Sequence, residues 1–318
     1  MRIMTNVGFA AFGASAWSGT VVSSAFAEAH NQSPKAVMPA ECAPPLGWET
    51  IAARKPRFVV FGEIHGTKQA PVFIGDLACG LAAEGKRVLL AIEHSSTENE
   101  AFQRTWKLPQ AAFAAKLKQA GWAGRADGVA SEAMLALLVR LNGLAQNGYA
   151  IDIVAFNGAK DEAQTRRFSY LPAQGPHEAA QAENIRTAEA AKAYDYVLIL
   201  VGNIHARKRP VERSGIAFEP MAMQLGSPSA VITLNMQTAG GTTWNCQLKP
   251  GVQPKSKEEI SNDAIACASY PLRANANYKR APFIALTERS ASNTDSDYDG
   301  MFWLGSVDAS PPAVPRGK

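Results

Sequence analysis

Three short stretches carry side chains able to move protons or hold cations. Glu63 and His65 lie in Gly62-Glu63-Ile64-His65, Glu93 and His94 are adjacent, and His205 closes Gly202-Asn203-Ile204-His205. Carboxylates beside imidazoles can activate water by general-base action, or hold a divalent metal that does so. Four histidines follow position 30, and three of them, His65, His94 and His205, come directly after apolar runs. Two of those three share one Gly-x-x-His frame, a recurrence that points to a site rather than to scattered structural histidines. The fourth, His177, reads as a loop residue. The catalytic candidates are therefore Glu63, His65, Glu93 and His205. If a metal is used, His65, His205 and Glu93 are its ligands. His94 and Arg207 are expected at the substrate, Arg207 because it opens Arg207-Lys208-Arg209 just after His205 and a guanidinium can clamp an anion through two hydrogen bonds.

Strands must position these groups. Residues 58–61, after Arg57, and 196–201 are continuous apolar runs, rich in β-branched and aromatic side chains, each followed by glycine. Such runs are what strands buried on both faces look like. Residues 87–92 and 151–156 read the same way. Residues 68–84 (with Phe73, Leu77 and Leu81), 101–120, 131–146 and 178–193 read as helices, and Gly85 stops the first of them. Strand, helix, strand over residues 57–92 predicts parallel neighbours joined by a right-handed crossover. The whole predicts an α/β fold, a mostly parallel sheet with helices on both faces, and places the candidate residues at the sheet edge where ligands bind. Beyond residue 207 the texture becomes β-rich. Residues 230–236 and 242–248 flank Gly240-Gly241 and read as a hairpin, residues 263–268 as a short helix, and 302–307 as a last strand. Asp295, Asp297 and Asp299 match half of a calcium loop, but Ser306 stands where the bidentate glutamate belongs, so a polar turn is the simpler reading.

At the N-terminus, Arg2, the uncharged stretch 7–26 and Ala25-Phe26-Ala27 fit a signal peptide over residues 1–27. The expected organisation is then a lead-in over 28–56 and a single domain over 57–318, periplasmic or secreted, with no membrane anchor after cleavage. Four cysteines follow the cleavage site, an even count suited to disulfides in an exported chain. Proximity in sequence favours Cys42–Cys79 and Cys246–Cys267. A net charge of +4 over 318 residues gives no footprint for nucleic acid. The expected partner is a small-molecule or peptide substrate.

The motifs Phe61-Gly62-Glu63-Ile64-His65-Gly66-Thr67, Ala91-Ile92-Glu93-His94 and Val201-Gly202-Asn203-Ile204-His205-Ala206 resemble those of the erythromycin esterase, ChaN and Tiki–TraB superfamily. The resemblance covers residues 57–207. It implies an α/β fold with Glu63, His65, Glu93 and His205 as functional residues. Esterase members look like hydrolases that act on water, Tiki members resemble metalloproteases, and ChaN members resemble haem-binding proteins of iron uptake. The sequence departs from two of these patterns. Gln69, Ala70 and Pro71 stand where ChaN-like chains carry further histidines, and the esterase motif has one more residue between glutamate and histidine. The expected function is an exported hydrolase, with a divalent metal as one cofactor option. The alternative is a haem- or metal-ion-binding protein without turnover.

Overall fold

The apolar runs form the middle of a seven-stranded sheet. In this computed structural model, residues 42–252, 262–287 and 296–314 are described, and they belong to one compact unit. Residues 1–27, read from the sequence as a signal peptide, and residues 28–41 of the expected lead-in fall outside them, as does Asp295. Helix α1 (Trp48–Ala52) precedes β1 (Phe58–Glu63), α2 (Gln69–Ala83) and β2 (Val88–Ser95). Helices α3 (Asn99–Trp106), α4 (Gln110–Leu117) and α5 (Glu132–Gln146) lead to β3 (Ile151–Asn157). Then come α6 (Glu162–Phe168), α7 (Gly175–Ala190), β4 (Tyr196–Gly202), and a two-stranded ribbon, β5 (Val211–Arg213) with β6 (Ile216–Phe218). The C-terminal part supplies β7 (Val231–Gln237), β8 (Gly241–Leu248), β9 (Ile265–Leu272), β10 (Phe283–Leu286) and β11 (Gly300–Trp303).

The strand order is β10-β11-β7-β1-β4-β2-β3, all parallel except the edge strand β10. Strands β1 and β2 are parallel as expected, but they are not neighbours. β4 inserts between them, pairing Phe58 with Val197 on one side and Val88 with Tyr196 on the other. This order puts the ends of β1, β4 and β2 side by side.

Successive residues of each strand point to opposite faces, so each strand contributes to two cores. Val59, Phe61, Leu90, Ile92, Leu198 and Leu200 meet the helices α2 to α5. Phe58, Val60, Leu89, Ala91, Ile199 and Val201 meet Ala182 and Ile185 of α7 and the turn at Met221. The lead-in is not separate from the domain where it is described. Trp48 and Ile51 are buried, Leu46 bridges to Phe283, and the Cys42–Cys79 disulfide ties this segment to α2.

Other expectations are corrected. The stretch 101–120 is two helices, because Pro109 cannot continue a helix and disfavours helical backbone at Leu108. Residues 230–236 and 242–248 do not pair with each other. β7 joins the large sheet beside β1, while β8 pairs antiparallel with β9, where a short helix was expected. A 3-10 turn, Asn262–Ala264, leads into β9. That β8–β9 pairing sets Cys246 directly opposite Cys267, and the second disulfide closes there. The last strand begins and ends earlier than expected, at Gly300 and Trp303. Among the described residues no helix is long and apolar enough to cross a membrane.

Candidate functional site

Parallel register fixes the site. Glu63, the last residue of β1, lies opposite Gly202, the last of β4. Both flanking loops must fold tightly over this edge, and the glycines allow it. A Cβ at Gly62 would stand 2.8 Å from the Ala206 Cβ, and one at Gly202 would stand 3.0 Å from His65 Nε2. His65 and His205 are thereby held over the ends of β1 and β4, and Glu93 reaches them from β2.

The three form a chain about one carboxylate. His65 Nε2 lies 3.1 Å from Glu93 Oε2, and His205 Nε2 lies 3.6 Å from Glu93 Oε1. The Gly202 amide donates to Glu93 Oε2 at 2.6 Å. Each imidazole is backed by a second glutamate, His65 Nδ1 by Glu63 at 2.9 Å and His205 Nδ1 by Glu178 at 2.8 Å. Glu178 is wholly buried and also accepts from the Met221 amide at 2.8 Å. Its place in the first turn of α7 suits a carboxylate, because the positive end of the helix is there.

These contacts set the charges. Burial works against a charged His65, but Glu93 and Glu63 outweigh it and hold its pKa well above the ordinary 6.5. Burial likewise opposes charge on His205, and Glu178 and Glu93 overcome it, so its pKa is raised too. For Glu93, burial pushes upward, yet His65, His205 and the Gly202 amide bring its carboxyl down to about 2. Imidazoles with high proton affinity therefore flank a carboxylate that stays ionised. With 28 % of its side chain exposed, His65 is the more open imidazole; His205 retains 13 %.

No family model matches this chain, and no curated protein matches it in sequence. Solved structures do match. A mutant of erythromycin esterase EreC in its open conformation aligns at a TM-score of 0.59 and 11 % identity, over 82 % of this chain and 93 % of the other. The fold resembles that of erythromycin esterase. A protein from Bacillus cereus aligns at 0.51 and 10 % identity, over 86 % of this chain and 97 % of its own. A succinoglycan biosynthesis protein aligns at 0.50 and 10 % identity, over 85 % and 96 %. At such identities the likeness is one of fold, and at that level the resemblance carried by the three motifs holds.

On the erythromycin esterase-like fold, Glu63, His65, Glu93 and His205 come together at the sheet's C-terminal edge. His94 does not join them. Glu93 points to the α7 face, and its neighbour on the strand points to the other. There His94 is fully buried, its ring 4.3 Å from Trp122 and 5.4 Å from Phe102. Neither ring nitrogen makes a hydrogen bond of ordinary geometry, and burial drives its pKa down to about 3. It is a neutral core residue with no access to substrate. Arg207 is engaged as well. Its guanidinium faces Asp297 at 3.5 Å, and Lys208 pairs with Asp299 at 2.5 Å. Residues of the basic run and of the acidic turn before β11 thus face each other.

The residues present do not fit a bound divalent ion in this arrangement. Both nitrogens of His65 already face carboxylates, Nδ1 that of Glu63 and Nε2 that of Glu93, and its raised proton affinity opposes giving a lone pair to a cation. Among the described residues, no three His, Cys, Asp or Glu side chains are arranged around a common metal position.

Sequence reasoning missed Glu178, taken only as the start of a polar helix. A signal was present. Glu178, Gln181, Ile185 and Glu189 recur at helical spacing, and all of them are buried. Polar residues on the core stripe of a helix need buried partners, and His205 is one.

Proposed function

We propose that this chain is an exported hydrolase that activates water with the Glu63–His65–Glu93–His205 cluster and acts on an ester or amide bond in a small molecule or peptide. One observation carries the reading: two imidazoles, each backed at Nδ1 by its own glutamate, converge through Nε2 on the single carboxylate of Glu93. Backing at Nδ1 fixes the ring so that Nε2 faces the reacting groups, as a general base requires. His65, the more exposed, takes a proton from water. Glu93 orients that water, and His205, backed by Glu178, holds the Glu93 carboxylate from its other side. The two disulfides support an oxidising compartment, in keeping with a signal peptide over residues 1–27 and a periplasmic or secreted protein.

To act as base, His65 must first lose its proton, and its pKa is raised well above 6.5. Hydrolysis should therefore climb as pH rises through the raised pKa of His65, well above the ordinary 6.5. The experiment is a pH–rate profile on a panel of p-nitrophenyl esters, with wild type beside His65→Ala. The variant should lose about 10²- to 10⁴-fold in kcat/KM. An inert wild type that gives a sharp Soret band with haemin would replace this reading with haem binding.

A further inference from the structure

Attack on a carbonyl builds negative charge on its oxygen, here beside the carboxylates of Glu63, Glu93 and Glu178. A neutral hydrogen-bond donor suits that position, because no change of pH in the working range removes its proton. His177, expected in a loop, lies instead in the first turn of α7, with its ring centroid 5.9 Å from that of His205. One helical turn further on, fully buried Gln181 presents its amide nitrogen to His177 Nε2 at 3.0 Å and to Asn157 Oδ1 at 2.8 Å. An amide nitrogen only donates, so His177 Nε2 accepts and the ring proton sits on Nδ1. With Asn157 Oδ1 placed toward it, turning the Gln181 amide over would set oxygen against oxygen. As placed, Gln181 Oε1 is buried without a partner, so the nitrogen's two bonds are made at the oxygen's expense.

Nδ1 itself has no hydrogen-bond partner among the described residues. Its edge of the ring lies beside Gly158, where a Cβ would stand 3.5 Å from Nδ1 and shade it. The charged groups facing the ring are Glu178 and His205, with Glu93 beyond. Burial and the His205 charge together outweigh the two glutamates and lower the His177 pKa. The positive end of α7 acts in the same direction. A neutral imidazole at a helix N-terminus is a known way to polarise a carbonyl.

We infer that His177 is a third imidazole of this site, a neutral Nδ1–H donor to the carbonyl oxygen of the bound ester or amide, with Gln181 as the positioning residue that fixes its tautomer. No proton changes hands at His177; it gives a hydrogen bond that strengthens as the oxygen becomes negative. The inference rests on the hydrolase reading.

Two measurements on the full chain test it. In the first, ester hydrolysis is compared among wild type, His177→Phe and His177→Asn. Phe should lower kcat about a hundredfold with KM little changed, as the loss of one such donor does. Asn, whose amide nitrogen can stand near the Nδ1 position, should restore part of the rate. In the second, ¹⁵N-labelled wild-type protein at neutral pH should show His177 unprotonated at Nε2, and Gln181→Glu should abolish that state. A His177→Phe enzyme at the wild-type rate overturns the role, as does an Nε2-protonated ring in the wild type. A wild type without hydrolysis overturns the hydrolase reading and this role with it, whereas an active wild type beside an unaffected variant overturns this role alone. The tautomer measurement needs no variant to fold.

Discussion

Replacing Glu178 by Gln asks whether His205 is held charged by a buried partner. The change keeps shape and volume but leaves one oxygen where two served. In the wild type, one carboxylate accepts from the His205 Nδ1 and, at 2.8 Å, from the Met221 amide. Gln can satisfy one of those donors and must turn its own N–H groups toward the other. A buried donor left unpaired costs about 1–3 kcal/mol, and outright loss of one partner of a buried ion pair about 3–5. For this substitution about 2–4 kcal/mol is expected, a large part of the roughly 5–15 kcal/mol that holds a domain folded. The sign of its pH dependence follows from linkage. The folded pKa of His205 is raised above the unfolded 6.5, so its contribution to stability is fully present below that value and is lost as pH rises through the folded one. The gap between wild type and Glu178→Gln should therefore be widest below pH 6.5 and shrink as pH rises through the raised pKa of His205. Urea unfolding of both proteins across that range measures it through the midpoint at constant slope. A gap that is the same at both ends would refute the charged His205–Glu178 pair.

Two further outcomes follow from close packing around the site. Gly202→Ala places a methyl group 3.0 Å from His65 Nε2 without straining the backbone, so the imidazole must shift by a few tenths of an ångström; kcat should fall about tenfold or more for a stability cost of about 1–3 kcal/mol, and an unchanged rate would show that the approach of His65 to Glu93 is not needed. His94→Phe removes an imidazole whose folded pKa lies near 3, below the unfolded 6.5, so the wild type must lose stability as pH falls through that window while the variant is spared this part. Urea midpoints of the two chains that decline in parallel between about pH 7.5 and pH 5 would contradict a buried neutral ring.

The strand-end motifs were legible because a strand buried on both faces leaves an unbroken apolar run, and because glycine is needed where two such strand ends crowd together. Gly62 and Gly202 therefore announced where Glu63, His65 and His205 would sit. Strand order was not legible. Residues 57–92 read as one crossover between neighbours, and nothing in that stretch says that β4, more than a hundred residues later, slides between the two strands. The supposed hairpin failed for a related reason. Runs of β-branched residues on either side of Gly240-Gly241 look the same whether they pair with each other or, as here, β7 with β1 and β8 with β9.

The same uniformity explains why Glu93 and His94 could not be told apart. In a half-exposed strand, alternation of polar and apolar residues gives the phase. In β2 every residue from Val88 to Ile92 is buried and apolar, so the run carries no phase. The pleat nonetheless sends adjacent residues to opposite faces, so no arrangement of an extended strand lets both line one cleft. The cost of burial decides the allocation. An ionised carboxylate needs donors, and the α7 face offers them in His65, His205 and the Gly202 amide. An imidazole can instead shed its proton and be buried neutral, as His94 is between Phe102 and Trp122. Exchanging the two side chains would bury a carboxylate against two aromatic rings without a donor, a state the protein could reach only by protonating it. An adjacent acid and imidazole after a fully buried strand thus mark one site residue and one core residue, and the electrostatics of burial put the acid in the site.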